Sequence, residues 1–83
     1  MNERLWTDVC IHAFHQYLVL EEKSTATMEK YLRDIRGFAA FAGQRSVNKE
    51  LAVAYKKHLV EAGYAVRSVN SMLASVNSFL STT

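Results

Sequence analysis

The run from Ser24 to Ala42 constrains the chain most. Met28, Tyr31, Leu32, Ile35, Phe38, Ala39 and Ala42 fall at offsets 0, 3, 4, 7, 10, 11 and 14, which is the apolar stripe of an amphipathic helix held for four turns. Ser24 stands where a side chain can cap the first amides, and Gly43 where a left-handed residue is expected after the last turn. A four-turn stripe must be covered by other elements, so the chain needs partners for this helix. The opposite face carries Ala26, Lys30, Arg33, Gly37 and Ala40. That face is basic and low in profile, as if another backbone must come close to it.

Three further stretches supply the cover. Thr7 is placed to cap a first helix, with Trp6 and Ile11 at the positions of a hydrophobic staple, and Cys10, Ala13, Phe14, Tyr17 and Leu18 form its stripe. Glu21-Glu22-Lys23 ends that helix in a short polar turn. After the connection Gln44–Val47, Asn48 caps a third helix with Glu50 in its first turn. Leu51, Ala52, Tyr55, Leu59 and Ala62 form its buried side, Lys56 and Lys57 face water, and Gly63 stops it. A fourth helix, about 66–80, buries Val69, Met72, Leu73, Val76, Phe79 and Leu80. Four amphipathic helices and no strand pattern predict an all-α, four-helix bundle, one domain over residues 1–83.

Composition removes several classes of function. At 83 residues the chain can bury one modest core. It has no proline and no apolar run long enough to span a bilayer. The N-terminus lacks the basic and apolar regions of a signal peptide. Cys10, the single cysteine, cannot pair internally, which suits a reducing cytoplasm. His12 and His15 stand three apart without a cysteine or carboxylate at ligand spacing, so they read as surface histidines, and neither metal nor cofactor is expected.

The charge is uneven. Residues 1–22 carry a balance of −3 and the remainder +5, for a net +2, which places the positive field on one side of the molecule. On the fourth helix Arg67, Ser71, Ala74 and Ser78 oppose the buried stripe, flanked by Asn70, Ser75 and Asn77, and no charged residue follows Arg67. Serine and asparagine are indifferent helix formers, so helix stability does not account for this face. Short hydrogen-bonding groups led by a cation suit a DNA major groove, where they reach base edges and phosphates. Two other readings stay open: a helical protein–protein module docking through this small-residue face, and a free-standing repressor-like DNA binder.

Two strings of residues carry a family resemblance. They are Ser24-x-x-Thr27-x-x-x-Tyr31-x-x-Asp34-Ile35-x-x-Phe38-x-x-Phe41 and Gly63-Tyr64-Ala65-Val66-Arg67-Ser68-Val69-Asn70-x-x-Leu73-x-x-Val76-x-x-Phe79. Their order and helix spacing resemble the N-terminal core-binding domain of tyrosine recombinases, the phage integrases, from about residue 14 to residue 80. The resemblance implies a compact four-helix SAM-like bundle whose second and fourth helices cross the major groove of a recombination half-site. It implies DNA contacts from Thr25, Thr27, Lys30, Arg33 and, on the flank, Arg36, and from Arg67, Ser68 and Ser71 on the fourth helix. Two departures from the family pattern weaken phosphate binding: Asn77 and Ser78 stand where arginines are frequent, and Glu29 sits beside the proposed face.

The resemblance also implies what is missing. The family's strand exchange needs a tyrosine nucleophile, two arginines and supporting His and Lys residues in a separate C-terminal domain. Tyr17, Tyr31, Tyr55 and Tyr64 have no arginine cluster that would activate a phenol against a phosphodiester. The expectation is therefore a non-catalytic part of a longer recombinase, ending at Ser81-Thr82-Thr83 ahead of a linker. Its partners would be double-stranded DNA and, in the full-length protein, the catalytic domain and other recombinase protomers. It would act in the cytoplasm without a membrane, and be a monomer in isolation.

Overall fold

The structure, a computed structural model, describes residues 3–82, with side chains from residue 7 onward. Among the described residues there are four helices and no strand: α1 (Glu3–Leu20), α2 (Thr25–Ala42), α3 (Lys49–Glu61) and α4 (Val66–Thr82). α2 and α4 each pack against all three other helices, whereas α1 and α3 do not meet. The bundle is therefore a central α2–α4 pair with α1 and α3 laid against it. With principal extents of 35 × 32 × 17 Å, it is a slab thin enough for every helix to keep a broad solvent face.

The core forms where the four stripes converge. Phe14 and Leu18 of α1, Ile35 and Phe38 of α2, Leu59 of α3, and Val69, Val76 and Phe79 of α4 are each at most 2% exposed. Burying such side chains contributes about 1.5–3 kcal/mol apiece, so this cluster dominates the stability. Aromatic edges lock the centre: Phe14 meets Phe79 edge-on at 5.5 Å, and Phe38 meets Tyr55 at 5.3 Å. Both arrangements fit the ring quadrupole.

The helix ends explain the element boundaries. The Ser24 hydroxyl accepts from the Thr27 N–H at 3.2 Å, and Asn48 Oδ1 accepts from the Leu51 N–H at 2.8 Å, as the cap pattern predicts. Gly43 does have positive φ, +60°. α1 and α3 end in the same Schellman closure. In α3 the Gly63 N–H reaches Val60 O and the Tyr64 N–H reaches Leu59 O, with Gly63 at φ +93°. In α1 the Glu22 N–H reaches Val19 O and the Lys23 N–H reaches Leu18 O, and the left-handed position is held by Glu22 at φ +55°.

Several expectations are corrected here. α1 begins at Glu3 rather than after Thr7. Thr7 is no cap but a helix-interior residue, 2% exposed, because its β-branched side chain joins Cys10, Phe14 and Leu18 on the buried stripe. The Trp6 half of the proposed staple lies outside the described side chains. Ala13 and Ala62 are exposed, and Tyr17 is 39% exposed. On α4, Ser75 is fully buried instead of flanking an open face.

Candidate nucleic-acid interface

A groove runs between the middle of α2 and the first turns of α4. Lys30, Arg33 and Asp34 line one wall, Arg67, Ser68 and Ser71 the other, with Tyr64 and Met72 beside them. Five of the eight sequence-predicted contact residues meet here: Lys30, Arg33, Arg67, Ser68 and Ser71. They converge because α2 and α4 are packed neighbours. On α2 this wall lies beside the buried stripe, and on α4 the residues one turn apart (Arg67, Ser71) share one side. Three cations against the Asp34 carboxylate leave the groove net positive by two charges.

The cations are not equivalent. Arg33 and Arg67 are exposed, and among the described residues neither makes an ion pair. Lys30 is half-buried and already engaged: its ammonium pairs with Asp34 Oδ2 at 2.6 Å. Arg45, counted in the positive balance, is also committed to the fold. It donates to the carbonyls of Phe41 and Ala42 at the end of α2, and its guanidinium lies over the Phe41 ring at 4.7 Å. A cation there complements the negative end of the helix dipole.

The other three residues lie elsewhere. Thr25 is exposed in the first turn of α2. Thr27 is half-buried, and its hydroxyl oxygen accepts from Ser24 Oγ at 2.9 Å, inside the cap. Arg36 is not brought to the groove. It projects on the opposite flank of α2, over a second depression shared with Asp8, His12 and His15 of α1. Among the described residues no group of three or more His, Cys, Asp or Glu side chains could hold a metal, and no helix is long and apolar enough to cross a membrane.

The small residue at 37 has a different neighbour from the backbone expected there. A Cβ on Gly37 would stand 3.1 Å from the Tyr55 hydroxyl, so the site is small because the α3 tyrosine leans over α2. Two residues of the α2–α4 contact escaped sequence reading. Asp34 is buried although charged; its i, i+4 spacing from Lys30 was the available signal. Ser75 gave none, because its partners lie 41 and 45 residues away along the chain.

The whole bundle matters for what kind of domain this is, and residues 11–82 match the family of the phage integrase N-terminal SAM-like domain. The chain belongs to that family. The match takes in all of α2, α3 and α4 and the second half of α1, so both walls of the groove lie within it. An integrase SAM-like domain is tied to DNA integration and recombination, and this gives the chain a recombinase-related DNA-binding role. No curated protein and no solved structure matches the chain.

Proposed function

We propose that this domain grips duplex DNA as the N-terminal part of a tyrosine recombinase, with α2 and α4 presented to the major groove of the recombination site. One observation carries the reading: the unpaired arginines of α2 and α4, Arg33 and Arg67, open onto one groove. Beside them run the hydroxyls of Ser68 and Ser71, on a helix with no charge after Arg67. Guanidinium groups hold phosphates through charge-assisted, often bidentate hydrogen bonds. Short hydroxyls then approach sugar, phosphate or base edges without steric conflict. Thr25 extends this surface at the start of α2, Thr27 follows it inside the cap, and Arg36 reaches a flanking phosphate from the α1 side.

In this reading strand cleavage belongs to a catalytic domain C-terminal to this one. The protein works in the cytoplasm, with other recombinase protomers assembled on the same DNA. Two free arginines with few other cations nearby make a weak grip, in the range of about 10⁻⁴ to 10⁻⁶ M typical of nonspecific binding at physiological salt. Titration of the domain with duplex DNA, followed by amide chemical shifts, tests the proposal. Signals of residues 25–36 and 67–78 should move, and the apparent affinity should fall steeply with salt. Shifts confined to α1 or α3, or binding indifferent to salt, would refute it and favour a protein-docking role.

A further inference from the structure

Beneath the groove, three side chains of α2 and α4 close a small polar circuit. Asp34 Oδ2 accepts from Lys30 Nζ at 2.6 Å and from Ser75 Oγ at 2.7 Å. Lys30 Nζ also donates to Ser75 Oγ at 3.1 Å and to the Ser71 carbonyl at 3.2 Å. An ammonium has three N–H groups and a hydroxyl one. Lys30 therefore spends all three donors inside the protein, and Ser75 gives its only proton to Asp34.

We infer that Lys30 is a positioning residue and not a phosphate contact: with Asp34 and Ser75 it fixes the register of α2 against α4, so that Arg33 and Arg67 face DNA together. The inference rests on the DNA-binding reading above. To reach a phosphate, Lys30 would have to give up one of these three bonds: releasing Asp34, whose side chain is 8% exposed, leaves a carboxylate buried without its counter-charge, and releasing Ser71 or Ser75 gives up a tie to α4. Its own charge is already neutralised at 2.6 Å.

The placement of the bonds argues for register. Lys30 and Asp34 are one turn apart on α2, and Ser71 and Ser75 one turn apart on α4, so the circuit spans a full turn of each helix. A slide of one turn, about 5.4 Å, would break every bond between the helices at once. Replacing buried ion pairs with apolar side chains is often neutral for stability, so the circuit adds to the choice of register more than to stability. A satisfied polar circuit specifies one arrangement of the two helices.

The test uses the intact 83-residue chain, a labelled duplex, a series of KCl concentrations and thermal melting. Arg33→Gln and Arg67→Gln should each reduce the slope of log affinity against log salt by about 0.9, one phosphate contact, with unchanged melting. The charge-neutral pair Lys30→Met/Asp34→Leu should keep the wild-type slope, because the bound form still uses both arginines, but bind at least about fivefold more weakly, because fewer molecules hold the competent register. Ser75→Ala, at a position with no exposed surface, should weaken binding of the folded protein about fivefold, the equivalent of one hydrogen bond, at constant slope. If Lys30→Met/Asp34→Leu loses the same slope as Arg33→Gln, Lys30 touches a phosphate and the inference fails. If folded Ser75→Ala binds like wild type, the register role fails; if it does not fold, the affinity of the charge-neutral pair decides, wild-type affinity overturning the register role. Wild-type binding without salt dependence would instead overturn the DNA-binding reading, and this inference with it.

Discussion

Replacing Ala74 with Glu separates the side of α4 proposed to face DNA from its buried side. Ala74 is exposed, while Ser75 and Val76, next in the chain, are at 0%. Exposed helical substitutions usually fall within about 0.5 kcal/mol. For a domain of this size that shifts the melting temperature by about 2–4 °C. Val76→Glu is the contrast. It forfeits about 1.5–3 kcal/mol of apolar burial and places a carboxylate where nothing pairs with it, for several kcal/mol more. At about 0.05–0.15 kcal/mol per residue the whole domain has about 4–12 kcal/mol to lose, so Val76→Glu should be largely unfolded. On DNA, a carboxylate brought to about 5 Å from a phosphate is repelled by about 1–3 kcal/mol, depending on the local dielectric. That is a loss of about 5- to 150-fold in affinity. Thermal melting and fluorescence anisotropy on a labelled duplex measure both quantities, and Ala74→Gln, neutral and of equal bulk, isolates the charge. If Ala74→Glu melts like Val76→Glu, the assigned face of α4 is wrong. If it is stable and binds like wild type, α4 does not lie on DNA.

Other consequences follow from the helix ends and from α3. Glu22→Gly should stabilise the domain by about 1 kcal/mol, because Glu22 occupies the left-handed position that Gly63 fills in the matching turn; a lower melting temperature would show that its side chain earns its place. Gly37→Ala gains helix propensity of about 1 kcal/mol but crowds the Tyr55 hydroxyl at 3.1 Å. The substitution should therefore be more favourable in a Tyr55→Phe background, and an additive double-mutant cycle would refute the contact. Burial, with smaller contributions from Tyr64 and Asp34, raises the Tyr55 phenol above its ordinary value. Stability should thus be intact below pH of about 10 and fall above it as the unfolded phenol ionises first. Tyr55→Phe should soften that alkaline loss in pH-dependent denaturation; an unchanged alkaline limb would count against it.

Much of this fold is written locally. The stripes of α2, α3 and α4, with the Ser24 and Asn48 caps, place those helices to within about two residues, because period and cap chemistry are properties of neighbouring residues. Thr7 shows the limit of such reasoning. Threonine serves as a cap or as a β-branched core residue, and only the packing of α1 on its neighbours decides between them. The groove was legible as two faces, one on α2 and one on α4, since Arg33, Arg67 and Ser71 follow from helical phase, while Ser68 came only from the family resemblance. The state of each cation was not. Lys30 and Arg33 look alike in the sequence, yet one is bonded to residues 41 and 45 positions away and the other is free. Ser75 read as surface for the same reason, because its partner Asp34 is distant along the chain and near in space.

The lack of charge on α4 beyond Arg67 has a kinetic consequence. With a dissociation constant of about 10⁻⁵ M and association at about 10⁵–10⁷ M⁻¹s⁻¹, the domain would leave DNA about 1–10² times per second. A single visit would then last from about 10 ms to about 1 s. Tethered to a second DNA-binding part at an effective concentration of about 1 mM, the same surface would be occupied about 99% of the time. With α4 on DNA as proposed, its sparse charge would make dwell time a property of the tether. In the proposed recombinase the domain would hold DNA nearly continuously while attached, and let go within about a second whenever the rest of the assembly does.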